Sequence, residues 1–382
     1  MKRTALLAAL TLGACGGSNT NNPGGTVHVT ASGEVLALGG YAFPPAMQGD
    51  ADFVDGWEVK FDKLLAVFDR VTLSESPDTS PGDQSQTGKL VAELDGPWAV
   101  DLHRGGPLAG KGGSDEQAVS VGVITNQNKN GGAPFDPAAR YAFGFDSVPA
   151  TADTKLVNLD AGDADYAEMV ERGWNVLYVG TATWKGVASS CTSTNTSYPF
   201  SKLPTTVKFR LGFATPTSYL NCQNPDNDPA KALGGEEHER GIAVTANAAT
   251  VAQVTFHTDH PFWESFVHDS PAHFDQLAAL AKPQSDGTWL VSLDDAKGAD
   301  YTAFTDSSGA ALPWRACDPG YVPPNANAQM GFSSLSIGHS PSGDPSTFIR
   351  DYADYASYDQ STQGHLDSDG LCYVQRRYPS PR

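Results

Sequence analysis

The sequence lacks any cluster of basic side chains. Its 382 residues contain 25 Lys and Arg against 44 Asp and Glu, so the formal net charge is −19 at pH 7. Proteins that bind DNA or RNA use a basic surface to displace counterions from the phosphates. The composition therefore excludes nucleic acid as the natural partner.

Long apolar runs are also scarce. Beyond the N-terminal segment, no stretch approaches the roughly eighteen apolar residues that a membrane-spanning helix needs. The chain begins with Met1, Lys2 and Arg3, and a short apolar run follows over residues 4–12. A basic head before a short apolar run that ends in small residues is typical of a secretory signal peptide. We therefore expect residues 1–14 to be removed on export.

The end of this segment carries a second signal. Leu12, Gly13, Ala14 and Cys15 resemble the lipobox of bacterial lipoproteins. The resemblance implies cleavage before Cys15 and lipid attachment to it, and this lipid would be the only membrane anchor. Residues 15–25 then form the lipidated Cys and a flexible tether. The protein is expected to be lipid-anchored to the cell envelope, at the outer membrane, with the side that it faces left open.

The four remaining cysteines are an even number in a chain that we expect to be exported. No Cys-x-x-Cys pair is present, so disulfides are favoured over a cysteine zinc site. Three pairings are possible, and the sequence does not choose among them. We expect the two pairings that are local in sequence, Cys191 with Cys222 and Cys317 with Cys372.

Alternating apolar residues dominate the first two thirds of the chain. The period is two rather than 3.6 in the segments around Trp57, Tyr141, Val176 and Val207, as expected for half-buried strands. Many short strands separated by Gly, Pro and Asn are typical of antiparallel sheets packed face to face. We predict a mainly β protein with an antiparallel, sandwich-like core.

Helical patterns are few and short. Asp163 before an acidic start and Gly173 after the last turn predict a helix between them. The C-terminal third contains three further helical patterns, at residues 261–267, 272–281 and 344–358.

The domain organisation stays open. The β-rich region is expected to span residues 26–382. It forms either one continuous domain or two subdomains, 26–225 and 240–382, separated by a polar stretch.

Histidine is concentrated in one segment, with four of the nine His residues between positions 257 and 273. His260, Glu264 and His268 are spaced four apart and would share one side of a helix. Neutral imidazoles together with a carboxylate are ligands that suit Zn²⁺ and Cu²⁺. We therefore predict a transition-metal site formed by His257, His260 and His268, with Glu264 or His273 completing the ligand set.

Three functions are compatible with this segment. The leading hypothesis is a lipid-anchored binding protein that captures, stores or delivers the metal in the envelope. The alternative is an interaction module for an envelope protein or a glycan, in which the histidines are purely structural. A metal-dependent hydrolase with Glu264 or Asp269 as the base is the weakest option, because the helical His-Glu-x-x-His pattern is absent.

Two acidic segments resemble fragments of calcium-binding loops. Asp226 and Asp228 are followed by Glu237 at a suitable distance, but Lys231 stands at the position that requires Gly. Residues 367–370 are similar to the start of such a loop, without the closing Glu. We interpret both segments as turns, with Ca²⁺ binding as a weaker alternative.

Overall fold

The computed structural model describes residues 24–113, 115–193, 198–266, 268–300, 305–319, 321 and 349–378. The predicted signal peptide, Cys15 and most of the tether lie outside these residues. So do residue 267 and residues 344–348 of the two helical patterns that contain them.

Strands dominate the described residues, which confirms the prediction of a mainly β protein, and they form two sheets. In spatial order, the six strands of the smaller sheet are β17 (Gly370–Leu371), β16 (Gly364–Leu366), β13 (Ala249–Phe256), β1 (Thr26–Ser32), β6 (Gln117–Ile124) and β5 (Leu108–Ala109). Most pairs are antiparallel, but β1 and β13 at the centre of this sheet run parallel.

The larger sheet is built around β2 (Trp57–Ser74), which has 18 residues and reaches across several neighbours. The main path of this sheet is β14 (Lys282–Pro283), β15 (Trp289–Ser292), β10 (Thr206–Phe213), β9 (Val176–Trp184), β2, β7 (Arg140–Ser147), β11 (Thr217–Leu220) and β18 (Tyr373–Arg376). Four further strands of this sheet pair at its sides. β3 (Leu90–Leu94) and β4 (Trp98–Asp101) pair with β2, β8 (Lys155–Leu156) pairs with β4, and β12 (Ile242–Ala243) pairs with β7. Both sheets contain strands from either side of the polar stretch at residues 224–241.

The helices of the described residues are short: α1 (Glu34–Gly39), α2 (Ala164–Arg172), α3 (Asp275–Leu280) and α4 (Tyr352–Gln360). The predicted helix α2 is confirmed. The carboxylate of Asp163 accepts the backbone N–H groups of Asp165 and Tyr166, and Gly173 ends the helix with a φ of 66°. A glycine is suited to this left-handed position, because it has no Cβ.

Of the two helical patterns around the histidine-rich segment, the one at residues 261–267 is wrong, and the one at residues 272–281 is confirmed only for Asp275–Leu280. Residues 260–262 form one turn of 3-10 helix, and no helix continues from it in the described residues. Ala272 pairs with Trp263 in an antiparallel bridge, so the next helix starts only at Asp275. Tertiary pairing of the backbone therefore overrides the local helical pattern.

The main hydrophobic core lies between the two sheets. Phe68 and Phe145 of the larger sheet contact Phe256 of the smaller sheet, with ring centroids 6.1 Å and 6.0 Å apart. The other face of the larger sheet is also buried, because Leu65 and Val67 alternate with the core residues of β2 and pack below α2. The larger sheet therefore buries apolar surface on both of its faces.

Two disulfides link distant segments, Cys191 to Cys317 and Cys222 to Cys372. The local pairing expected from the sequence is wrong, and the reason lies in the sheets. β11 pairs antiparallel with β18, which brings Cys222 to Cys372, whereas a bridge between Thr192 and Ala316 brings together the other pair.

Disulfides persist in oxidising compartments, so the two bonds indicate the environment that an exported protein meets. None of the helices in the described residues is long and apolar enough to cross a membrane.

Each disulfide closes a long loop, of 150 residues for Cys222–Cys372 and 126 for Cys191–Cys317. Replacing both cysteines of either pair by Ser is expected to lower the free energy of unfolding by about 2–5 kcal/mol, as measured by chemical denaturation. Peptide mapping without reductant tests the pairing directly. A linked peptide that joins Cys191 to Cys222 would contradict this topology.

Candidate metal centre

The pairing of β13 with β16 brings together two histidines that are far apart in sequence. Phe256 points into the core, so Thr255 and His257 lie on the opposite face of the smaller sheet. His365 is the partner of Thr255 across the two strands, and the N–H of His257 donates to the carbonyl of Gln363 at 3.0 Å. The rings of His257 and His365 are therefore neighbours, with centroids 4.1 Å apart.

A loop brings two more histidines to the same place. His260 begins the 3-10 turn after β13, and the bridge between Trp263 and Ala272 turns the chain back on itself. His268, which lies between these bridge residues, returns to the cluster. Its ring centroid is 6.2 Å from that of His260 and 5.5 Å from that of His365.

His257, His260, His268 and His365 form a cluster that could hold a metal ion. Each offers one ring nitrogen, and these four atoms all lie within 4.8 Å of one another. Ligands at about 2.0 Å from a tetrahedral Zn²⁺ are about 3.3 Å apart. Some of the ring nitrogens would therefore have to approach one another by up to about 1.5 Å to complete a tetrahedral coordination sphere.

Hydrogen bonds to the protein select which nitrogen is available in His257. Its Nε2 lies 2.7 Å from the carbonyl oxygen of Ser368. A carbonyl only accepts, so Nε2 carries the proton and donates it. Nδ1 then keeps the lone pair that a metal needs.

The tautomer of His260 is fixed by a chain of two hydrogen bonds. The hydroxyl of Thr362 donates to the carbonyl of Asp359 at 2.7 Å, so it can only accept from Nδ1 of His260, which is also 2.7 Å away. Nε2 of His260 is buried without a hydrogen-bond partner among the described residues. Trp263 stacks on this ring at 3.7 Å, which holds its orientation.

A carboxylate orients the third histidine. Nδ1 of His268 lies 3.3 Å from Oδ2 of Asp269, and Nε2 of His268 is buried with no hydrogen-bond partner in the described part of the chain. A carboxylate behind a metal-binding imidazole fixes the ring and makes it a stronger ligand. In three histidines, therefore, one nitrogen is held by the protein and the other remains for a metal.

The electrostatics of the cluster favour a neutral His260. Burial lowers the pKa of His260 well below its usual range, and the nearby His257 and His268 lower it further. Burial also acts to lower the pKa of His257, but Glu34, Asp259 and the Ser368 carbonyl together outweigh it, and the result is a raised pKa.

Two carboxyl groups lie beside the cluster in a buried environment. Burial raises the pKa of Glu34 to about 7, although His257 acts in the opposite direction. Burial likewise raises the pKa of Asp259. A divalent cation held by the histidines would favour the charged forms of both groups, so their positions suit a site that takes up positive charge.

Glu264 and His273, which were predicted to complete the ligand set, lie together outside the four-histidine cluster. They flank the bridge between Trp263 and Ala272, and side chains next to a bridge point to the face opposite that of the bridge residues. Trp263 faces His260, whereas Glu264 accepts a hydrogen bond from Nε2 of His273 at 2.8 Å. The hydroxyl of Tyr321 also bonds to Glu264.

The two calcium-loop fragments meet around a lysine. The ammonium group of Lys111 contacts the carboxylate of Asp226 and lies 3.5 Å from that of Asp367. Asp228 accepts the N–H of Ala230 and starts a short 3-10 turn. The acidic side chains of the two predicted turns thus contact Lys111 or cap a turn of the protein itself.

His365 is the member of the cluster that sequence reasoning missed. It lies in the C-terminal part of the chain, 92 residues after His273 (365 − 273), with one further histidine, His339, between them in the sequence. The other three histidines were identified because they are concentrated in one segment, and His365 lies outside that segment. The only local signal is a short strand pattern, in which Leu366 is buried in the core and His365 lies on the other face.

Comparison of the chain with protein-family models, curated proteins and solved structures finds no match. The interpretation of the cluster therefore rests on its geometry.

Thr362→Val removes the hydroxyl that orients His260 and keeps the shape of the side chain. We expect the affinity for Zn²⁺ or Cu²⁺ to fall by about 10- to 100-fold, as measured by competition with a chelator of known affinity. Thr217→Val is the matched control, because the Thr217 hydroxyl is also buried and donates to a carbonyl, that of Thr215 at 2.9 Å. Equal affinities of Thr362→Val and wild type would contradict the assignment of His260 as an oriented ligand.

Proposed function

We propose that this chain is an exported envelope protein that binds one divalent transition-metal ion, Zn²⁺ or Cu²⁺, through His257, His260, His268 and His365. The observation that carries the proposal is the convergence of four imidazole nitrogens within 4.8 Å. Hydrogen bonds that leave the second nitrogen of three rings available support it.

The ligand set favours binding over hydrolysis. A catalytic zinc site keeps one position open for water, whereas four protein ligands fill a tetrahedral sphere. The proposed bases have other partners, since Glu264 is bonded to His273 and Asp269 to His268. We therefore infer a role in capture, storage or delivery of the metal.

The donor chemistry restricts the metal to a small group. Imidazole suits Zn²⁺ and Cu²⁺, whereas Cu⁺ prefers thiolate or thioether ligands. All four cysteines of the described residues are in disulfides, so none of them supplies a thiolate.

The lipid anchor is part of the same proposal. Residues 12–15 resemble a lipobox, and an anchored metal-binding domain stays in the envelope where metal ions enter the cell. The acidic composition adds a negative mean field that raises the local concentration of cations without forming a site.

Elemental analysis of the protein purified from its exported form without chelator tests the metal. We expect about one equivalent of zinc or copper per wild-type chain and none in a His260→Ala/His365→Ala variant. A His28→Ala/His103→Ala variant is the matched control, because these two histidines bond to Ser120 and to the Ala37 carbonyl, outside the cluster.

The absence of metal from the wild type, together with a melting temperature that Zn²⁺ and Cu²⁺ do not change, would contradict this proposal. An interaction module with structural histidines would then be the better account.

Cys15→Ser tests the anchor. We expect the N-terminal peptide of the wild-type protein to carry acyl groups and that of the variant to carry none, because Cys15 is the proposed site of lipid attachment. Mass spectrometry of the N-terminal peptide identifies the acyl groups. A wild-type N-terminal peptide without acyl groups would contradict anchoring through Cys15.

A further inference from the structure

A surface pocket of about 540 Å³ lies against one side of the four-histidine cluster, and His268 is part of its wall. The rest of the wall comes from residues 81–84, from residues 234–237 and from Gln223, Arg240, Leu371 and Tyr373. At about 30 Å³ per water molecule, the pocket has room for a cation with its first hydration shell.

The pocket is acidic. Asp83, Glu236 and Glu237 line it, and Arg240 is the only lysine or arginine among the described residues that line it. The guanidinium of Arg240 is buried and already bonded to both carboxylate oxygens of Glu236, at 3.0 Å and 2.9 Å from its Nε. Among the described residues, Asp83 and Glu237 form no ion pair with a lysine or arginine, so the pocket keeps a net negative charge.

His268 belongs to both the pocket and the cluster. His268 lines the pocket, and its buried Nε2 is available to a metal. Its side chain is 19% exposed, against 11% for His257, and His260 and His365 are almost fully buried. Behind His268 lies Nε2 of the fully buried His260, which has no hydrogen-bond partner among the described residues.

We propose that this pocket is the entrance through which a hydrated divalent cation reaches the four-histidine cluster, and that His268 is the last ligand to bind and the first to leave. The inference rests on the proposed function, because it needs a metal at the cluster. The negative charge concentrates cations at the pocket, and rotation of the His268 ring connects the pocket with the buried nitrogens.

Stopped-flow measurement of Zn²⁺ uptake by the metal-free protein tests the charge of the entrance. In an Asp83→Asn/Glu237→Gln variant, we expect the association rate constant to fall by about three- to tenfold at low ionic strength. The difference should shrink as salt is added, and the dissociation rate constant should change less. Asp153→Asn/Glu171→Gln removes two exposed acidic residues outside the pocket and is the matched control.

A steric variant tests the route itself. A Cβ added at Gly82 meets no atom within 4 Å, so the backbone has room for a side chain there. Gly82→Trp adds bulk at the wall of the pocket, whereas Gly82→Ala adds only a methyl group. We expect Gly82→Trp to slow both uptake and release of Zn²⁺ while the equilibrium affinity stays unchanged. Circular dichroism confirms that the variants remain folded.

The outcomes separate the two proposals. If the pocket variants take up Zn²⁺ at the wild-type rate, or if the control slows as much as Asp83→Asn/Glu237→Gln, the entrance is wrong and metal binding still stands. If the wild-type protein takes up no Zn²⁺ and no Cu²⁺, the proposed function fails, and the entrance fails with it.

Discussion

The candidate metal centre depends on the antiparallel pairing of β13 with β16. This pairing is only three residues long in its register, yet it sets His365 beside His257. Buried hydrogen bonds hold it, since the backbone N–H of Gln253 donates to the carboxylate of Asp367 at 3.0 Å, and the Cys222–Cys372 disulfide fixes the segment that follows. The cross-link and the bonds limit the conformations of a short strand pair that would be marginal alone.

The loop that supplies His260 and His268 has a different constraint, because buried imidazoles need partners for their N–H groups. Thr362, Ser368 and Asp269 provide these partners and also choose the free nitrogen of each ring. Asp269 has a left-handed φ of 59°, and Glu34 beside the cluster has a φ of 60°. Such conformations are unfavourable for residues with a Cβ and persist only where the surroundings fix them. Among the described residues, Nε2 of His260 and Nε2 of His268 have no hydrogen-bond partner, and the proposed metal site would explain this.

The sequence predicted the strands well, because apolar alternation reports directly on which face of a strand is buried. The same reasoning located α2, whose cap and stop residues are local. It failed between residues 260 and 273, where a periodic helical pattern was present but the backbone pairs Trp263 with Ala272 instead. The same error explains why Glu264 and His273 were predicted as metal ligands. A helix would have placed Glu264 beside the ligand histidines, whereas the bridge turns the side chains of Glu264 and His273 to the opposite face.

The sequence by itself determined the mainly β class, the presence of disulfides and three of the four histidines in the cluster, because composition, alternation and local density are properties of neighbouring residues. The tertiary structure decided the disulfide partners, the fourth histidine and the exclusion of Glu264. Each of these depends on contacts between segments that are remote in sequence, such as β11 with β18 and β13 with β16. The register of two strands fixes which side chains meet across them, and no local pattern in either strand contains that information.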